Sequence, residues 1–267
     1  LVPGVPDPLY VRAREVLLDA IEALGPHLSS IVLVGAQAIY LHTGEGDLAV
    51  APFTTDADVV LDPEGLGDRP LLGEALMGAG FAPCDQPGQW IKDEVRVDLM
   101  VPDAVAGAGR RGVRLGPHGK SAARRARGLE GALVDRESRE VAALGGDRRQ
   151  ARVLVAGPAA LLVSKLHKLA ERVGEPGRLR DKDALDIYRL LRGVPTADLA
   201  KRLRRLLADP RSAVVAAEAI EHLRRLFGSS QAQGSGMAAR AVEALESEQT
   251  TRASCALLAE ELLSTMR

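Results

Sequence analysis

The sequence predicts an α/β (α+β) chain in two parts, an α/β part over residues 1–156 and a helical part over 157–267. Three observations carry this. Short apolar runs rich in β-branched residues alternate with helix-patterned stretches up to about residue 156. The character changes at Gly157-Pro158, after which the chain is almost continuously helix-favouring. Aromatic residues make up only 3%, so the core must be built from Leu, Val, Ile and Ala, a composition that leans toward helix.

Residues 8–24 read as an amphipathic helix, with Val11, Val16, Leu17, Ala20, Ile21 and Leu24 at helical spacing and Gly25 placed to close it. Residues 31–34 form a buried strand ending at Gly35, and helical composition resumes over 36–42. A loop around Gly44 and Gly46 leads to a second strand over 58–61, ended by Asp62-Pro63. A short helix over 70–79 is closed by Gly80. Strands are then expected over 89–92 and 94–100, the second stopped by Pro102, and again over 131–134 and 152–155, with a weaker run near Val141. In the 94–100 strand Val95, Val97 and Leu99 share one face, and Arg96, Asp98 and Met100 the other. Beyond Pro158, residues 159–173 are helical and closed by Gly174. Asp181 is placed to N-cap a helix to about Arg192, with Gly193 past its end. The rest is helical, broken at Asp209-Pro210 and by a polar, flexible run over 228–236.

The formal net charge is −1, so no overall field draws the chain to nucleic acid or anionic lipid. Local clustering is another matter. No acidic residue falls between Ala104 and Leu129, while Arg110, Arg111, Arg114, Lys120, Arg124, Arg125 and Arg127 all do. Cys84 and Cys255 are far apart and in no ligand-like spacing, against a disulfide framework or a zinc site. No basic n-region with an apolar run opens the sequence, and no stretch reaches the ~20 apolar residues of a membrane helix. A cytoplasmic protein with no membrane partner is the expectation.

Thr54-Thr55-Asp56-Ala57-Asp58 precedes the apolar run Val59-Val60-Leu61. On an extended backbone Asp56 and Asp58 project to one side, and carboxylates that close repel unless a cation lies between them or one stays protonated. A hard divalent ion such as Mg²⁺ (or Mn²⁺) resolves the conflict. Asp98 offers a third carboxylate on the polar face of a neighbouring strand. Three acids on adjacent strands suit two-metal phosphoryl transfer, in which one ion orients a triphosphate and the other activates the attacking hydroxyl. Alone, an Asp-x-Asp at a strand start is commonly a solvated turn. Val34-Gly35-Ala36-Gln37-Ala38 runs strand, Gly, helix, which presents backbone N–H groups suited to phosphate. Alone, it is also how a strand packs tightly on a helix, and no Gly-Lys-Ser/Thr of a Walker loop follows.

In this order, the strand–Gly–helix turn, the Thr-Asp-x-Asp and the later strand Asp resemble the polymerase-β-like nucleotidyltransferase superfamily over roughly residues 28–101. The resemblance implies a nucleotidyltransferase core with a mixed sheet. It also implies Gly35 and Ala36 at the phosphate seat, and Asp56, Asp58 and Asp98 as catalytic metal ligands. The family has Ser or Gly where Ala36 stands, so a hydroxyl contact to phosphate is missing.

The helical part holds Ser164-Lys165-Leu166-His167-Lys168-Leu169, then Glu171-Arg172, then Asp181-Lys182-Asp183-Ala184-Leu185-Asp186-Ile187-Tyr188-Arg189. Lys165, Lys168 and Arg172 line one stripe. On the second helix Asp183, Asp186, Tyr188 and Arg189 present polar groups, opposite an apolar face of Ala184, Leu185, Ile187, Leu190 and Leu191. Read bare, this is a solvated stripe, or Lys–Asp pairing between antiparallel helices. It also looks like the helical motifs of AbiEii-type toxin nucleotidyltransferases and their mycobacterial relatives. That resemblance implies Lys165 on the NTP phosphates, Lys168 as a second candidate, and Asp186 placing the lysine or the acceptor. It further implies an RNA acceptor, notably the tRNA 3′ end, and a cognate antitoxin.

The acid-free segment 110–127 would contact an RNA backbone, or form a solvated loop. His42, His118 and His167 read as surface or packing residues. Two other functions stay open: the same chemistry on a small molecule or a protein, and a catalytically silent NTP- or RNA-binding relative.

Overall fold

The structure is a computed structural model that describes residues 6–44, 53–109, 111–173, 181–242 and 246–267. Gly46, Arg110 and Gly174, which the sequence reading uses, lie outside the described residues. Helix α1 (Pro8–Ala23) is capped by Asp7, whose side chain accepts the Leu9 N–H at 2.8 Å. A 3-10 turn over Gly25–Ser30 leads into β1 (Ile31–Val34), whose four side chains are all buried. Helix α2 (Gly35–Thr43) follows without a break, then β2 (Asp56–Leu61), which begins two residues before the strand expected over 58–61.

Next come α3 (Leu72–Gly78), β3 (Ala82–Pro83), β4 (Gln89–Lys92), β5 (Val95–Pro102), β6 (Arg124–Ala126), β7 (Arg136–Ala142) and β8 (Gln150–Ala156). The sheet is mixed, in the order β3-β4-β5-β2-β1-β8-β7. β2 runs parallel to β5, and β1 parallel to β8, while β1–β2, β4–β5 and β7–β8 are antiparallel. β4 and β6 share one margin of β5, β4 pairing toward its start and β6 toward its end. The chain is therefore α/β with a mixed sheet, followed by a helical C-terminal region.

Three expectations fail locally. Residues 131–134, expected as a strand, belong to a buried 3-10 turn over Glu130–Leu133. Gly131 lets this turn lie against α4 (Pro158–Val173), where an added Cβ would come within 3.3 Å of Ala160. Four apolar residues are too few for periodicity to decide between strand and turn. Glu94, expected in β5, instead forms with Asp93 a two-residue turn in which both have positive φ, +50° and +64°. That is the hairpin geometry whose twist matches the strands it joins, here occupied without glycine.

The run over 228–236 is not a loose link. Its second half opens α8 (Gln233–Val242), and Gly234, Ser235 and Gly236 are buried. Gly234 permits the contact, since a side chain there would strike the Phe227 ring, and the Ser235 hydroxyl donates to the Ser229 carbonyl at 2.9 Å.

The helical region also contains α5 (Asp181–Gly193), α6 (Thr196–Ala208), α7 (Ala213–Phe227) and α9 (Glu248–Thr265). α5 departs from the amphipathic reading, because every residue from Asp183 to Leu191 is buried. It packs on α2, α4, α8 and α9, so its polar face meets protein rather than water. One continuous apolar cluster runs from Tyr10 to Leu262 across both regions. No helix among the described residues is long and apolar enough to cross a membrane. Cys84 and Cys255 are both free.

A buried carboxylate fastens the junction of sheet and helices. Asp135 is fully buried, accepts the Ala160 N–H in the first turn of α4, and takes Arg202 of α6 at 2.7 Å. Asp135→Ala would strand the guanidinium and uncap α4. We expect a loss of about 2–4 kcal/mol, read as a lowered urea midpoint with an unchanged slope.

Candidate functional site

The site is built where β1 turns into α2. Gly35 holds φ +72°, and a Cβ there would overlap the Asp58 carboxylate, so the turn and the acid are in van der Waals contact only because the residue is glycine. Strand register then sets a row across the sheet. Val34 lies opposite Asp58, Asp58 opposite Asp98, and Asp98 opposite Gln89. Along β2, Asp56 is exposed, Ala57 buried and Asp58 half-buried, the alternation that puts both acids on one face.

Asp56 is anchored from behind. The buried Thr54 hydroxyl donates to its carboxylate, and the Gln37 amide of α2 donates to its backbone carbonyl at 3.2 Å. Arg14 of α1 fixes that amide, donating to the Gln37 side-chain oxygen at 2.8 Å.

Asp98 is treated differently by its neighbours. Arg124 of β6 reaches its Oδ2 at 2.7 Å, while its Oδ1 is buried without a hydrogen-bond partner. The row opens on a cleft of about 560 Å³ lined by Gly35, Asp56, Asp58, Asp98, Gln86, Gln89 and Arg96, with the first face of α4 opposite. Ala36 is not in that lining. Its side chain is buried in the core behind Gly35.

α4 contributes Ser164, Lys165, Lys168, Glu171 and Arg172 to the facing wall. Lys165, its side chain only 6% exposed, lies 2.6 Å from Asp186 and 3.3 Å from Asp183 on α5. Asp183 also takes Arg172 at 2.5 Å and Lys168 at 3.5 Å. The helices do pair Lys with Asp, and they leave Lys168 the freest of the three cations, its side chain 41% exposed at the cleft. Lys165, by contrast, is already held by two carboxylates.

The charges act on one another across the cleft. Burial, then the Asp56 carboxylate beside it, pushes the Asp58 carboxyl up to about 6, with Asp98 adding to the rise and Lys168 and Lys165 opposing it. Burial alone would depress the Lys165 ammonium, but Asp186 and Asp183 outweigh it and raise its pKa. The same cations hold Asp183 below the ordinary carboxylate range against its burial.

Among the described residues, no three His, Cys, Asp or Glu side chains are already drawn together as a metal cage. The acids nevertheless fit a divalent cation. Asp58 carries the unrelieved repulsion that such an ion removes, and Asp98 keeps one buried oxygen without a partner.

Half of the described cations in the basic segment are engaged. Arg124 holds Asp98, Arg125 holds Asp103 at 2.6 Å, and Arg127 holds Glu218 of α7 at 2.6 Å. Arg111, Arg114 and Lys120 remain exposed and make no ion pair among the described residues. The three histidines pack, His42 on the Ala156 carbonyl at 2.7 Å, His118 on the Gly67 carbonyl at 2.9 Å and His167 on the Val215 carbonyl at 2.9 Å.

Several residues of the site escaped the sequence reading. Arg96 had a usable signal, since it shares the polar face of β5 with Asp98. Gln89 and Arg124 had none, because only strand pairing brings them beside Asp98. Asp183 was read as a polar position but not as the residue on which three cations converge. Compared with family models, with characterised proteins and with solved structures, the chain gives no match.

Two outcomes follow for Asp58. Its carboxyl binds a proton more tightly folded, at about 6, than unfolded, at 3.8, so this group lowers stability as pH rises from about 4 to about 6, with no further loss above. Asp58→Asn should therefore raise thermal stability at pH 7, by about 2 kcal/mol, and flatten that pH dependence. Gly35→Ala should do the reverse, displacing the carboxylate and lowering the melting temperature, with weaker Mn²⁺ binding by electron paramagnetic resonance.

Proposed function

We propose that the protein is a metal-dependent nucleotidyltransferase that moves a nucleoside monophosphate from an NTP to an acceptor hydroxyl. The observation that carries this reading is the row of Asp58 and Asp98, with Asp56 at its margin, facing Lys165, Lys168 and Arg172 across a single cleft. One wall suits cations and the other suits phosphates. Few chemistries need both within one cleft of this size; transfer from a magnesium-bound triphosphate does.

Asp56 and Asp58 would hold Mg²⁺ or Mn²⁺, with Asp98 contributing its free oxygen. A bound ion supplies charge to the triphosphate and acidity to the acceptor hydroxyl. The chain's own residues do the rest. The Gly35 turn admits phosphate oxygens close to the backbone, and Lys168 reaches them from α4. Lys165 stays paired to Asp186 and Asp183 and keeps positive potential over Asp58. Arg172, bound to Asp183, fixes the far end of the same stripe.

The resemblance extends the reading to an RNA acceptor such as the tRNA 3′ end, to a cognate antitoxin and to the cytoplasm; these rest on that resemblance. One observation favours a silent NTP- or RNA-binding relative: Arg124 already neutralises one oxygen of Asp98.

The deciding experiment incubates the purified protein with Mg²⁺, each labelled NTP and total RNA. Label should enter RNA, and Asp58→Ala should reduce it by about three orders of magnitude. Absence of label with every NTP, alongside measurable binding of Mg²⁺–NTP, would select the silent relative. The two lysines should separate. Lys168→Ala should weaken Mg²⁺–NTP binding about tenfold with the fold intact. Lys165→Ala removes the ion pair at 2.6 Å from the buried Asp186, and should lower the melting temperature as well.

A further inference from the structure

We propose that Arg124 is a positioning residue for Asp98: by holding one carboxylate oxygen, Oδ2, it keeps the other, Oδ1, for a divalent cation. This rests on the nucleotidyltransferase reading and adds a residue outside the acid row on which metal binding depends.

Strand order sets the sides. β5 has β2 on one margin and β6 on the other. Register puts Asp58 opposite Asp98 across the β2 margin, and Arg124 opposite Met100 across the β6 margin. Asp98 and Met100 are two residues apart on one face of β5, so the Arg124 side chain meets Asp98 one step back along that face. Asp98 therefore has its guanidinium partner on one flank and its partner acid on the other, each from an adjacent strand.

The form of the contact is a second observation. Arg124 donates to Oδ2 alone, through Nη2 at 2.7 Å. Its Nε and the Asp98 Oδ1 are both buried without a hydrogen-bond partner among the described residues. A guanidinium that optimises its hold on a carboxylate takes both oxygens in a bidentate fork. Such a fork would satisfy both atoms and close Asp98 to any ion. The single contact instead fixes the carboxylate and leaves one acceptor without a donor, in a cleft whose neighbouring acid is Asp58. Carboxylates that ligate metals are held in this way, by an outer partner that orients them.

Arg124 can hold a position because its backbone is pinned. β6 pairs with β5, and Gly112 bridges to Arg124 from the other side. Gly88, at φ +74°, passes so close that a Cβ there would overlap the Arg124 backbone nitrogen. Arg125, Arg127 and Arg172 also line the cleft, but acids outside the row hold them: Asp103, Glu218 and Asp183. Of these four arginines, Arg124 alone is paired with an acid of the row.

The sign of one measurement tests this. By Coulomb's law alone, deleting a cation beside the site tightens the binding of a divalent ion. Loss of positioning weakens it. Mn²⁺ alone is titrated into the full chain, well below the melting temperature of each variant, and the free ion is read by electron paramagnetic resonance. Arg124→Gln should weaken Mn²⁺ binding by about ten- to a hundredfold. Arg124→Met, which keeps the aliphatic stem, should do the same. In an Asp98→Asn background, Arg124→Gln should change binding by less than about twofold, because Arg124 acts through Asp98. Arg127→Gln removes the same charge from the same lining, and should not weaken binding by more than about twofold.

The inference is overturned if both Arg124 variants bind Mn²⁺ as the wild type does. It is equally overturned if they bind more tightly, the result expected of a guanidinium that only blocks Asp98. A loss that persists in full with Asp98→Asn, or an equal loss from Arg127→Gln, also overturns it. The premise is separable. If the wild-type protein binds no Mn²⁺, the metal-dependent reading falls and takes the inference with it; if the wild type binds and the Arg124 variants bind as well, the inference alone falls.

Discussion

The site depends on one contact, the passage of the Gly35 backbone against the Asp58 carboxylate. It presses an acid into a half-buried position beside a second, exposed acid, where its own charge is poorly screened by water. The cost appears as a raised carboxyl pKa, and the opposing cations appear on α4. Much of the helical region can be understood as the support that keeps those cations in place. Lys165 is buried, so it requires Asp186 and Asp183; these are buried too, so α5 must be enclosed on all sides. A strained acidic row on a sheet thus accounts for an unusually polar helix interface some distance away.

That coupling joins the two regions of the chain. The apolar cluster is continuous across the junction, and Asp135 ties β7 to the start of α4 and to Arg202. The cleft therefore lies between surfaces that are fixed to each other by packing and by ion pairs. The facing charges are preorganised before any ligand arrives, as the proposed phosphoryl transfer would demand.

Most of this fold was legible in the sequence because its elements obey simple periodicities. The IVLV run of β1, the alternation in β5 and the helical stripe of α4 each read correctly from spacing alone. The failures have a common cause. Residues 131–134 and 228–236 are short segments whose conformation is decided by what they touch, α4 in one case and Phe227 in the other. Asp93-Glu94 adopts a turn that sequence rules reserve for Gly or Asn, because the strands on either side impose it. For α5 the spacing allows either a solvent stripe or Lys–Asp pairing with the preceding helix, and only the packing against α4 selects the pairing. In the site, the acids and lysines were visible as motifs, while Gln89 and Arg124 became neighbours of Asp98 only through strand pairing.

The margins of the sheet carry a consequence of another kind. At one side β3 is two residues long and ends in Pro83, and β4 and β6 between them occupy the neighbouring edge of β5. At the other side β7 carries Arg136, Glu137, Arg139 and Glu140. Neither border offers a long, apolar row of open amide and carbonyl groups for a foreign strand to annex. The shortness and proline of β3 and the charges of β7 thus guard the sheet against the strand-to-strand stacking that leads to aggregates.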